Sequence, residues 1–126
     1  MKSRCPCHSG ESYADCCAPL HQGAPAPDAT KLMRARYSAY VLKMDDYLRS
    51  SWHESTRPND LTKASLKGVK WLGLTVLETQ NMNTCHATVA FEARFRKSNE
   101  KTQTLFENSA FLFENGHWFY VNEISA

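Results

Sequence analysis

The chain has 126 residues, 42% hydrophobic and 22% charged. That is one domain's length with ordinary globular usage, which excludes wholesale disorder, collagen-like repeats and low complexity. The net charge is only +2; the basic residues are scattered along the chain and do not point to nucleic acid or an anionic membrane. No apolar run exceeds four residues, against the ~20 that a membrane-spanning helix needs. Met1 to Arg4 run straight into Cys5-Pro6-Cys7 without the apolar stretch of a secretory signal. The expected location is therefore a reducing cytoplasm.

Residues 1–27 differ from the rest. They hold four of the five prolines and four of the five cysteines. With so little apolar bulk, this segment cannot offset its ordering entropy by core burial alone. We divide the chain into a cysteine-rich motif at 1–22, a linker at 23–27 and an α+β domain at 28–126. Gly23-Ala24-Pro25-Ala26-Pro27 reads as extended, because positions before proline disfavour helix.

Asp28 is the expected N-cap of a helix. Met33, Tyr37, Tyr40, Val41, Met44, Tyr47 and Leu48 recur at helical period and form one apolar face. Lys31, Arg34 and Lys43 lie off it. Asp45 or Asp46 is expected to cap a second short helix carrying Leu48 and Trp52. Asn59-Asp60 is expected to start a third, ended by Gly68.

The second half reads as sheet. Val69 to Glu78 carries Trp71 and Leu77 on one face and Leu72, Leu74 and Val76 on the other. Thr84 to Arg96 alternates, with Cys85, Ala87, Val89, Phe91, Ala93 and Phe95 on the core side. Cys85 is thus expected as an inert buried thiol. Thr102 to Glu114 and His117 to Glu123 are joined by Asn115-Gly116, a two-residue hairpin signal that requires positive φ. Helices on one face of a four-stranded antiparallel meander make an α+β fold. Bulk on both faces of the first strand points to a covering partner, such as a second subunit packed on the sheet.

Cys5, Cys7, Cys16 and Cys17 form C-x-C-x8-C-C. Four thiolates suit tetrahedral zinc and leave no open position, so the expected site is structural. Such a site would bring the formal charge of the chain to zero. The C-x-C and C-C spacings depart from the usual C-x2-C, which leaves alternatives. His8 or His21 can replace one thiolate. Disulfides between such close cysteines strain the bridge geometry and suit an oxidising compartment. Lys2 and Arg4 lie near enough to offset the negative charge. Zinc at roughly 10–16 kcal/mol would supply the ordering energy that the segment lacks.

Cys5-Pro-Cys-His-Ser-Gly-Glu-Ser-Tyr-Ala-Asp-Cys-Cys17 resembles the SEC-C motif, the zinc-binding element at the C-terminus of SecA, with His8 where the motif usually has glycine. Leu32–Tyr40, Ser51-Trp52-His53, Trp71–Leu74, Glu107–Phe111 and Gly116–Tyr120 resemble recurring segments of the bacterial YchJ family. That resemblance covers nearly the whole chain. It implies a nuclear-transport-factor-2-like cone, with helices closing over a curved sheet, and no particular reaction.

Two functions follow as expectations. In the first, a zinc-closed loop presents Lys2, Arg4, His8, Ser9, Glu11 and Ser12 to a protein partner. In the second, the cone encloses a pocket lined by Arg36, Tyr37, Tyr40, Trp52, His53, Trp71, Glu107 and Ser109. There Glu107, among apolar neighbours, serves as general base with His53 as partner, in a dehydratase- or isomerase-like reaction or a small-molecule site. Against the second, Tyr37 and Tyr40 fit a packing stripe, and Glu107 can pair with Arg34, Arg36 or Arg94. We favour the first, a binding protein rather than an enzyme.

Overall fold

The computed structural model describes residues 3–62 and 66–124. A 3-10 turn at Tyr13–Asp15 precedes α1 (Ala18–His21), α2 (Ala29–Val41) and α3 (Asp45–Ser50). Four strands follow: β1 (Val69–Asn81), β2 (His86–Lys97), β3 (Gln103–Glu114) and β4 (His117–Glu123). They form one antiparallel sheet in chain order. The α+β architecture read from the sequence is the one observed. Among the described residues no helix is long and apolar enough to cross a membrane.

Asp28 caps α2 as its side chain predicts, its Oδ1 accepting the Lys31 N–H at 2.8 Å. The helix ends where Lys43 turns left-handed, at φ 57°. The Met44 N–H then reaches the Ala39 carbonyl at 2.8 Å, and the Lys43 N–H reaches that of Tyr40 at 3.3 Å. This is a Schellman end with lysine at the position glycine usually takes. It turns the chain, so the stripe expected along one helix continues on α3, which buries Leu48.

Neither Asp45 nor Asp46 is the cap of α3. That place belongs to Met44, which makes no side-chain cap bond. Both aspartates sit in the first turn instead, where they favour the helix dipole and pair with Arg49. Trp52 lies beyond α3. It forms a parallel bridge with Tyr120, fixed by the His53 N–H to the Tyr120 carbonyl (2.8 Å) and the Tyr120 N–H to the Ser51 carbonyl (2.9 Å). The segment after α3 thereby covers part of the free edge of β4. The expected third helix falls partly on residues 63–65, outside the described residues.

Asn115 (φ 53°) and Gly116 (φ 82°) form the left-handed pair that the hairpin demands. On β2 the alternation holds, with Ala87, Val89, Phe91 and Ala93 buried. On β1 it does not. Register shifts at Trp71/Gly73 and Val76/Glu78 interrupt the ladder. The first puts Trp71 on the core side with Leu74 and Val76, not opposite them. Trp71 packs against Tyr37, Tyr40 and Phe95, with ring centroids 5.8, 5.7 and 5.5 Å away. Leu77 falls in the second irregularity and is exposed.

Cys85 also departs from expectation. The strand begins one residue later, and Asn83 Oδ1 accepts the N–H groups of both Cys85 and His86. That turn leaves the Cys85 thiol exposed.

The core lies between α2 and the sheet face bearing Leu74, Val89, Phe91 and Phe111. The four N-terminal cysteines belong to the same cluster. The first segment therefore shares the main core. A coreless segment was expected because its own sequence is poor in apolar bulk; the burial comes from α2.

Candidate metal centre

The hook is built from short-range backbone bonds. The Cys5 N–H reaches the Glu11 carbonyl at 2.8 Å, and the Tyr13 N–H reaches that of Ser3 at 2.9 Å. Between them the chain reverses through His8 (φ 65°) and Gly10 (φ 90°). Ser12 Oγ accepts the Asp15 N–H and starts the 3-10 turn, which delivers Cys16 and Cys17. Two loops of local origin thus carry two cysteines each to one point.

At that point one sulfur from each of Cys5, Cys7, Cys16 and Cys17 lies within 4.8 Å of the others. All four residues are buried. A closed set of four sulfurs can hold a metal ion and leaves no protein position open for substrate. His21 is engaged elsewhere. Its Nδ1 meets the Tyr13 hydroxyl at 2.6 Å, and its Nε2 meets the Ala35 carbonyl at 2.8 Å. His8 is exposed, its ring 6.2 Å from that of Tyr37 at a steep interplanar angle of 66°.

Helix α2 supplies what spacing along the hook does not reveal. Lys31 Nζ donates to Cys16 Sγ at 2.8 Å, and Ser38 Oγ donates to Cys17 Sγ at 3.4 Å. Ser9 Oγ lies 3.2 Å from Cys16 Sγ, and Arg34 Nη1 donates to the Cys7 carbonyl at 2.9 Å. Lys31, Arg34 and Ser38 recur at i, i+3 and i+7, a polar stripe beside the apolar face. That period is the signal that sequence reasoning missed. Arg4, expected to offset the cluster's charge, bonds the Gly10 carbonyl instead. Lys2 lies outside the described residues.

Neighbouring sulfurs and burial set the protonation of Cys7, Cys16 and Cys17. The Cys7 thiol is drawn down to about 3, chiefly by its contact with Cys17, while that contact and burial push Cys17 up. Burial also raises Cys16. Lys31→Ala is expected to preserve the fold while making the metal easier to remove. Outer contacts of this kind carry about 10–100-fold in affinity, and competition with a coloured chelator reads the loss.

The proposed pocket residues are gathered only in part. Arg36 is buried under α3, with Nη1 donating to the Leu48 carbonyl at 2.9 Å and to Ser51 Oγ at 2.7 Å. Its guanidinium lies 4.5 Å from the Tyr120 ring centroid and 5.1 Å from that of Trp52. Glu107 accepts a hydrogen bond from the buried Ser109 hydroxyl at 2.5 Å. Among the described residues Glu107 has no ion pair, so the expected pairing with Arg34, Arg36 or Arg94 is not observed. His53 is not its partner either: Nδ1 lies 2.8 Å from Ser55 Oγ and Nε2 lies 3.2 Å from Glu114 Oε1. Tyr37 and Tyr40 both pack on Trp71. Two cavities, of about 780 and 600 Å³, exclude Glu107, Ser109, Arg36, Tyr40 and Trp71 from their walls.

Burial raises the Glu107 carboxyl above its ordinary range. The folded state then holds that proton more tightly than the unfolded chain. Its contribution to stability falls as pH rises from the ordinary carboxyl value through the raised one. Glu107→Gln is expected to stabilise the protein at pH 7 and to lose that advantage in acid below the window. Thermal melts of both proteins across pH 3.5–7.5 check the sign.

The fold and the cysteine cluster define a class: an NTF2-like α+β domain with an N-terminal four-cysteine motif. Residues 28–123 match the family model described as YchJ, middle NTF2-like domain, and residues 1–19 match the SEC-C motif. A UPF0225 protein of Xanthomonas campestris pv. campestris is 46% identical over 118 residues, 94% of this chain and 92% of that one. The solution structure of a SEC-C motif containing protein from Rhodopseudomonas palustris superposes with TM-score 0.85 at 32% identity, covering 100% of this chain and 99% of that one. A crystal structure of a second such protein, from Psychrobacter arcticus, gives 0.81 at 27% identity, covering 97% and 84%. The chain belongs to the YchJ family, UPF0225.

Proposed function

We propose that Cys5, Cys7, Cys16 and Cys17 hold one structural zinc ion, and that the hook so closed is a docking element for a protein partner in the cytoplasm. The observation that carries this reading is the donor set. Four buried sulfurs face one point, with Lys31 and Ser38 donating to them. Borderline-soft zinc suits such ligands. The closed shell supports scaffolding rather than catalysis.

The ion's contribution is rigidity. It ties the two ends of the hook to each other while α2 supports them from below. Arg4, His8, Gly10 and Glu11 are then left exposed on a loop that cannot relax. A preordered polar surface binds without a large entropic cost at association.

The alternative, an enzyme with Glu107 as base, has less support. Glu107 is bonded to Ser109, lines neither cavity and lacks His53 beside it.

Metal analysis of the purified chain is expected to find one zinc per molecule. Crosslinking in cells is expected to recover a partner that His8→Ala/Glu11→Ala loses while keeping its zinc. Absence of metal in freshly purified protein overturns the zinc assignment. Identical partners for the surface variant and the parent overturn the docking role.

A further inference from the structure

The sheet has an outer face, turned away from α2, and strand register defines it. Val89, Phe91 and Ala93 of β2 belong to the core, so Ala90, Glu92, Arg94 and Arg96 point outward. Their partners on the neighbouring strands point outward with them. Glu78 lies opposite Ala90, Phe106 opposite Glu92, Gly73 opposite Arg94 and Lys70 opposite Arg96.

Two features of this face are unfavourable in a lone chain. Phe106 is 63% exposed and has no ring partner among the described residues. Lys70 and Arg96 are cross-strand partners of like charge, which repel, and among the described residues neither has an ion pair. The face is also smooth where the charges stand. Gly73 has no side chain, and the Arg94 guanidinium lies over its backbone, where a Cβ would collide with it. Arg94 meets Glu92 only loosely, at 3.7 Å.

The charges follow an order along the strands. Glu78 and Glu92 stand in two successive outer rows, and Arg94 and the Lys70–Arg96 pair stand in the next two. We propose that this face binds a second copy of the chain, about a two-fold axis running across the strands between the Glu92 and Arg94 rows. Each acidic row then lies over a basic row of the other copy. Glu92 meets Arg94, Glu78 meets Lys70, and the two Phe106 rings meet beside the axis. Every contact occurs twice, the reciprocity that an isologous interface requires. Face-to-face sheets stand about 10 Å apart, a gap that side chains from both copies fill. Burial of Phe106 drives association, and the charge rows fix its register. The hook stays free in the dimer, because it packs with α2 on the other side of the sheet.

The test is sedimentation equilibrium of the full chain, in a thiol reductant that removes any dimer made through the exposed Cys85. Up to about 1 mM, a concentration that already admits weak association, a reversible monomer–dimer equilibrium is expected, weakened by salt. Phe106→Ser should dimerise at least about tenfold more weakly, while the dilute monomer keeps its melting temperature, since the ring is exposed. Glu78→Lys and Lys70→Glu each set like charges over one another twice, so each alone should also lose at least about tenfold. Mixed in equal amounts, the two should form a heterodimer, because both contacts between positions 78 and 70 then join opposite charges again. A chain that stays monomeric at about 1 mM overturns the proposal. So does a dimer that Phe106→Ser leaves intact, or a pair of charge variants that do not recover on mixing. A monomer that instead binds a short single-stranded oligonucleotide through Phe106 and these cations also overturns it, since the face would then be a nucleic-acid platform.

Discussion

Cys16→Ser/Cys17→Ser is expected to unfold the whole chain and not only its first twenty residues. Both cysteines are buried, and they share one core cluster with Leu32, Met33, Tyr37 and Phe111. If the four sulfurs hold zinc as proposed, loss of the ion would remove about 10–16 kcal/mol of apparent binding energy. That is as large as the total stability of a typical domain, about 5–15 kcal/mol. It also leaves Lys31 directed at a site that has lost its negative charge. Amide signals from Val89 and Phe111, deep in the sheet, should therefore collapse together with those of the hook. If they persist and the melting temperature is unchanged, the hook is an independent module. Thiol labelling gives a second reading. In the native protein only Cys85 is exposed, so one of the five cysteines should react quickly. All five should react in the variant's parent once a strong chelator and mild denaturant have opened the site.

Arg36→Ala should be the most damaging single change outside the hook, at about 3 kcal/mol or more. The side chain is 4% exposed. Its removal opens a cavity between α2, α3 and β4 and withdraws donors from the Leu48 carbonyl and Ser51 Oγ. It also takes the cation from between the Trp52 and Tyr120 rings. Arg36 further helps to hold the Glu107 carboxyl down against burial. Without it the carboxylate is less tolerated, so the loss should be greater at pH 7 than at pH 5. Arg36→Met keeps most of the volume and should lose less. Combining it with Glu107→Gln should recover part of the remainder, and the double-mutant cycle measures their coupling.

Local chemistry made several elements legible. Asp28 can accept a first-turn N–H, and Asn115-Gly116 tolerates the left-handed pair of a tight hairpin. The alternation from Ala87 to Ala93 needs only one buried face. Bulges were not legible, because a register shift is set by the partner strand. Trp71 therefore changed faces relative to expectation, and Leu77 became exposed. Cys85 was misplaced for a related reason: the Asn83 turn delays the start of β2 to His86, one residue after the apolar alternation reaches Cys85.

The cysteine spacing by itself singled out four candidate ligands and left His8 or His21 open as substitutes; the fold gathers the four sulfurs and engages His21 elsewhere. What surrounds those sulfurs was decided by tertiary structure alone. Lys31 and Ser38 reach them only because the hook lies along the second face of α2, and helical period assigns that face to solvent. Short-range propensities act within a few residues. Charge meets charge across the fold only after the chain has closed.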